Sequence, residues 1–133
     1  MDYNKPFNFL KKLPPKLNSF YKKKSKSGLV VSNKSKSKKD FDPVTNFDRA
    51  FEKYIRSLIN KKFPKDSIIG EEFEDKFSSN EYKWSIDPID GTRAFVIGAP
   101  TWSNLISLSF EERSLICLLY TSDAADEWCW GVV

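Results

Sequence analysis

The sequence contains no histidine. That absence excludes Ser-His-Asp and Cys-His nucleophile pairs, phosphohistidine intermediates and imidazole-ligated zinc. Two cysteines, Cys117 and Cys129, are too few for a disulfide framework. No apolar run approaches the ~20 residues that a membrane-spanning helix needs, and no signal-peptide core is read at the start of the chain. Hydrolytic chemistry is therefore left to carboxylates, hydroxyls, lysines or a hard metal ion.

What is present suits one domain, or part of one. The 133 residues are 40% hydrophobic and 15% aromatic, which is enough apolar matter for a core. The formal charge of +4 is unevenly placed. Residues 1–39 hold twelve of the 22 basic residues and a single acid, Asp2, whereas residues 40–133 hold seventeen of the 18 acids. The lysine-rich start reads as a solvated helix face followed by a basic loop. An arm for nucleic acid or an anionic surface is the sharper alternative. It is set aside because the nearby aromatics Tyr3, Phe7, Phe9, Phe20 and Tyr21 sit where a helix would bury them.

Periodicity predicts a weak helix over 5–24, broken or kinked by Pro14-Pro15. Residues 29–31 read as a short strand and 32–39 as a polar loop. The strongest helix is 45–62, with an apolar stripe through Phe47, Phe51, Ile55 and Ile59. Thr45 and Asp48 match a capping box at its start. Strands are expected at 67–70 and 83–87, a turn at 87–91, a short helix from Thr92 to Ile97, and a hairpin of 103–110 with 114–120 turning at 111–113.

Three acids fall at strand exits: Glu71, Asp87 and Asp90. Taken singly, each part has an ordinary reading. Asp87 or Asp90 suits a turn, Glu71-Glu72 a solvated pair, Asp48 a helix cap and Thr92 an N-cap. Together they offer only oxygen ligands, which suits magnesium or manganese rather than zinc. The N–H groups that open the helix after Gly91-Thr92 would then face a phosphate.

The segments Asp42–Asp48, Ile69–Glu72 and Trp84–Thr92, the last reading W-x-x-D-P-I-D-G-T, resemble the inositol monophosphatase superfamily. The tail of that motif, Arg93 to Trp102, is most similar to the histidinol-phosphatase branch. The resemblance implies an α+β chain forming the N-terminal half of a layered α/β/α/β/α fold. It implies a Mg²⁺-dependent phosphomonoesterase holding two or three ions. Glu71, Asp87 and the Ile89 carbonyl would hold one ion, and Asp87 and Asp90 would share a second. Catalytic roles fall to Asp48, Glu71 and Thr92, with Thr92, partnered by Asp48, orienting the attacking water. Backbone N–H groups of Gly91 and Thr92 would bind the substrate phosphate. The expected partner is a small-molecule phosphomonoester, histidinol phosphate first and an inositol or sugar phosphate next. Nucleic acid and membrane are not expected, and the complete protein is expected to be a cytoplasmic homodimer.

Proteins of this family are usually about twice as long, and the W-D-x-x-A motif of their second half has no counterpart here. Residues 1–116 are therefore expected to be the metal-binding part of an incomplete enzyme. Residues 117–127 read as a translated sequencing adapter, so 117–133 is expected to be a non-native tail.

Overall fold

The longest helix, α3 (Asn46–Lys62), begins where the capping box predicts. The Thr45 hydroxyl accepts from the N–H groups of Phe47 and Asp48, at 3.1 and 3.3 Å. Asp48 Oδ2 accepts in return from Thr45 N at 2.6 Å. Phe51, Ile55 and Ile59 on its apolar stripe are completely buried. Each such side chain contributes roughly 1.5–3 kcal/mol relative to exposure. The computed structural model describes residues 2–35, 43–120 and 129–130.

The N-terminal helix is divided in two, α1 (Asn4–Lys11) and α2 (Leu13–Ser25). The break falls at Lys12, just ahead of the proline pair. Pro14 and Pro15 thus lie in the first turn of α2, where a missing N–H removes no helical bond. Leu10, Leu13 and Leu17 anchor the two helices in the core. Phe9, Phe20 and Tyr21 pack against it as expected, whereas Tyr3 is exposed ahead of α1. Lys5, Lys12 and Lys16 join Lys61 and Lys62 of α3 around an open groove of about 570 Å³.

Two strands, β1 (Val31–Asn33) and β2 (Pro43–Thr45), form a small antiparallel ribbon. The strand predicted at 29–31 starts two residues later because Asn46 engages Val30. The Asn46 side-chain oxygen accepts from Val30 N at 2.8 Å, and the Asn46 backbone N–H donates to Val30 O at 3.0 Å. Residues 36–39 of the predicted basic loop lie outside the described residues.

The main sheet has the order β3-β4-β5-β6-β7. Its strands are β3 (Ser67–Gly70), β4 (Tyr82–Asp90), β5 (Ser103–Phe110), β6 (Arg113–Tyr120) and β7 (Cys129–Trp130). Only β3 and β4 are parallel; the other neighbours are antiparallel. Trp84, Ile86, Ile106, Leu108, Ile116 and Leu118 share the core with α1–α3. Trp84 is also held through its indole N–H, which donates to Asp66 Oδ2 at 2.8 Å. Mixed helices and sheet make the chain α+β, as read from the sequence.

Two boundaries differ from expectation. Strand β4 runs past Asp87 to Asp90, and a register shift between these residues absorbs Pro88, which has no N–H to give a ladder. The β5–β6 turn is only Glu111-Glu112, both with positive φ (47° and 63°), the backbone of a two-residue hairpin loop. Strand β6 pairs with β5 as far as Tyr120, and β7 pairs with Leu118 and Leu119. Residues 121–128 and 131–133 of the expected tail lie outside the described residues.

Candidate active site

The parallel pairing of β3 and β4 fixes the starting geometry. Gly70 is in register with Ile86, so Glu71, where the chain leaves β3, comes level with Asp87 in β4. Ends of adjacent parallel strands are where such sheets collect functional groups. Asp90 closes β4, paired with Ser103, and Gly91 follows in the left-handed region at φ 88°. A Cβ on Gly91 would also meet Thr101 O at 2.9 Å, so this turn needs glycine on two counts. The short helix α4 (Thr92–Val96) begins at once, one residue shorter than expected.

Asp48 reaches this turn from the first turn of α3. It is 2% exposed, and its Oδ1 accepts from the Thr92 hydroxyl at 3.1 Å. The same hydroxyl lies 3.0 Å from Ile89 O. Asp48 is thus a cap and a site residue at once, one oxygen serving each purpose. The buried Asn104 side chain donates to Pro88 O, pinning the Asp87–Asp90 backbone from β5.

The electrostatics are those of crowded carboxylates. Burial first, then the charges of Glu71, Asp90 and Asp48, push the Asp87 carboxyl up to about 7. Burial also raises Glu71, reinforced by Glu72, Asp48 and Glu52 and opposed by Lys34. Lys34 bridges to Glu72 at 2.5 Å. Burial works against the Lys34 charge, but the Glu72 hydrogen bond and the charges of Glu72, Glu71 and Asp48 leave its ammonium above the ordinary value. The solvated Glu71-Glu72 pair read from the sequence is therefore only half right. Glu71 is exposed, but the Glu72 side chain is 4% exposed and paired.

These residues fit a hard cation in their chemistry. All donors are oxygen, and Asp87 Oδ1 is buried with no hydrogen-bond partner. A buried acceptor beside like charges is stabilised by a cation. Among the described residues no three acidic or thiol side chains close into a ready cage. Glu71 and Asp90 are exposed at the rim, where mutual repulsion favours separation.

Sequence reasoning missed Glu52, Arg56, Asn104 and Lys34. Glu52 had a usable signal: it falls on the same face as Asp48, Ile55 and Ile59, and Arg56 follows at i+4. Asn104 had none, because a lone amide in an alternating strand carries no distinguishing pattern.

A histidinol-phosphatase from Chlorobaculum parvum is 49% identical over 75 residues, which is 56% of this chain and 29% of that one. A fructose-1,6-bisphosphatase/inositol-1-monophosphatase from Aquifex aeolicus is 32% identical over 108 residues, 81% of this chain and 40% of that one. The crystal structure of the extragenic suppressor protein suhB from Bartonella henselae superposes with a TM-score of 0.80 at 25% identity. It covers 95% of this chain and 48% of its own. The chain thus spans less than half the length of these relatives. The pattern of the inositol monophosphatase family matches residues 11–132. With more than half of its residues matched and the fold shared, the chain belongs to the inositol monophosphatase family.

Proposed function

We propose that this chain is the metal-bearing part of a Mg²⁺-dependent phosphomonoester hydrolase whose substrate is histidinol phosphate. The observation that carries the reading is the Asp48–Thr92 hydrogen bond of 3.1 Å, made beside the unpartnered Asp87 carboxylate oxygen. Glu71, Asp87, the Ile89 carbonyl and Asp90 would hold the cations. When bound, the ions supply positive charge that acidifies water and offsets charge on the phosphoryl oxygens.

The chain's own groups then orient the reaction. Thr92 has one hydroxyl proton and two acceptors in reach, Asp48 Oδ1 and Ile89 O. With that proton committed to Asp48, its lone pairs can accept a hydrogen bond from water and aim the water oxygen at phosphorus. The Gly91 and Thr92 N–H groups would bind the phosphate. A five-residue helix adds little dipole, so these groups must act mainly as local donors. The new P–O bond forms to water, the P–O bond to the alcohol breaks, and the alcohol oxygen takes up a proton. No covalent enzyme intermediate is needed.

Support for histidinol phosphate over other phosphomonoesters comes from the relatives named histidinol-phosphatase, 49% and 43% identical over the matched region. An inositol or other sugar phosphate is the alternative, since the Aquifex aeolicus relative bears those names. The same reading takes the complete protein as a cytoplasmic homodimer. The test is Mg²⁺-dependent phosphate release by the complete protein. Histidinol phosphate should be cleaved fastest, and Asp87→Asn should abolish release. Faster cleavage of inositol 1-phosphate selects the alternative, and no cleavage of any phosphomonoester overturns the enzyme reading.

A further inference from the structure

Helix α3 buries a second carboxylate that the chemistry above leaves unused. Glu52 lies one turn beyond Asp48 and is 0% exposed. A buried carboxylate persists only when it is paired and fully hydrogen-bonded. Its partners here are specific. Oε2 accepts from the N–H groups of Glu71 and Glu72, at 3.1 and 2.7 Å. Oε1 accepts from Phe73 N at 3.3 Å and from Arg56 Nε at 2.9 Å. Arg56 Nη2 in turn donates to Phe73 O at 3.2 Å.

Three consecutive backbone N–H groups therefore converge on one side chain. They belong to the residues that follow the last paired residue of β3, where the sheet ladder has ended. Gly70 permits the approach: a Cβ there would overlap Glu52 Oε1 and come within 2.9 Å of Arg56 Nη2. The base of the loop is closed independently, by the Ile68–Lys76 bridge and by Gly70 N donating to Asp75 Oδ1. Glu52 is thus not needed to close the loop. What it fixes is the path of residues 71–73.

We infer that Glu52, neutralised by Arg56, is a positioning residue: it clamps the Glu71–Phe73 backbone so that the Glu71 carboxylate is presented beside Asp87 for a divalent cation. The inference rests on the metal-binding reading of Glu71 above. It assigns the organisation of a cation ligand to a residue 19 positions away that touches no cation itself. Outer partners of metal ligands act in this way, by holding a ligand in its binding orientation.

The test uses the complete protein with Mn²⁺ alone as the probe. Affinity is measured by calorimetry, and backbone order by amide hydrogen exchange. Glu52→Gln replaces one acceptor oxygen by a donor facing the loop N–H groups. It should accelerate exchange at Glu71–Phe73 while β4 and β5 stay protected, and weaken Mn²⁺ by about 10-fold or more. Glu71→Gln should weaken Mn²⁺ with little effect on exchange at those amides. If Glu71→Gln weakens binding but Glu52→Gln changes neither readout, the inference alone is overturned. If Glu71→Gln leaves Mn²⁺ affinity intact, the metal reading fails and the inference with it. Should Glu52→Gln not fold, Arg56→Gln keeps the carboxylate and its three backbone contacts but removes its counter-charge, the Nε hydrogen bond to Oε1 and the contact to Phe73 O. It should move both readouts in the same direction by less, and no movement of either overturns the inference.

Discussion

Thr92 and Asp48, 44 residues apart, meet through a hydroxyl–carboxylate hydrogen bond of 3.1 Å that joins α4 to the first turn of α3. The Asp48 carboxylate divides its work. Oδ2 closes the helix cap with Thr45, and Oδ1 orders Thr92. Asp48→Asn separates the two roles. The amide oxygen can keep the cap, but the amide N–H₂ then faces Thr92 and forces its proton towards Ile89 O. Unfolding in urea should show a loss of about 1 kcal/mol or less, since the cap survives. The complete enzyme should lose about 100-fold or more in kcat, because an amide N–H then competes with water for the Thr92 lone pairs and turns the hydroxyl away from its aiming geometry. An unchanged kcat would remove Thr92 orientation from the mechanism.

Much of this arrangement is legible in the sequence, and the limits are physical. Local signals suffice for α3: the Thr45–Asp48 cap and a clean 3.6-residue stripe act within one helix. The W-x-x-D-P-I-D-G-T run likewise marks the site, because Gly91 is demanded by a backbone sign and a close contact. The extension of β4 through Pro88 is not legible, because proline reads as a turn. Only the partner strand β5 shows that a register shift accommodates it. The place of Glu52 on the buried face of α3 is legible, but what it holds escapes for a related reason. Its partners are backbone N–H groups 19 to 21 residues away, and backbone groups leave no mark on residue type.

The crowding around Asp87 predicts a pH dependence in metal-free protein. Its carboxyl is raised to about 7 in the fold, against about 3.9 in an unfolded chain. Between those values the folded chain holds the extra proton, so stability is greatest at low pH and falls as pH rises towards 7, then levels. Raised Glu71 acts in the same direction. Partial exposure screens both, so the slope is shallower than the full shift implies. Urea midpoints in EDTA should therefore decline from pH 5 to 7.5, and Asp87→Asn should flatten the decline. Mg²⁺ should stabilise more at pH 8 than at pH 5, because it competes with the proton. A midpoint that rises with pH in EDTA would contradict the site's electrostatics.

The proposed division at residue 116 is tested at the level of the gene. The adapter reading predicts that a genomic read through the source locus diverges from Cys117 onward. It also predicts that the read continues in frame to a W-D-x-x-A motif. The β5–β6 pairing through Tyr120 does not decide the matter, since any apolar strand of suitable length can complete that hairpin. A read that passes through Tyr120 into Thr121–Glu127 unchanged would establish the tail as native.

The Pro88 carbonyl supplies a sharper test of how the Asp87–Asp90 segment is held. Asn104 is 1% exposed, and its side-chain N–H donates to Pro88 O from the neighbouring strand. Asn104→Leu conserves much of the volume but leaves that carbonyl without this donor. The loss should be about 1–3 kcal/mol in urea unfolding, the cost of stranding a buried acceptor. Asn104→Asp should cost more, since it sets a further carboxylate against a carbonyl oxygen in a region already crowded with negative charge. Because the bond fixes the backbone between two proposed cation ligands, Asn104→Leu should also weaken Mn²⁺ binding by about 10-fold. A variant that loses stability but keeps its Mn²⁺ affinity would show that the Asp87–Asp90 path is set by the Gly91 turn alone.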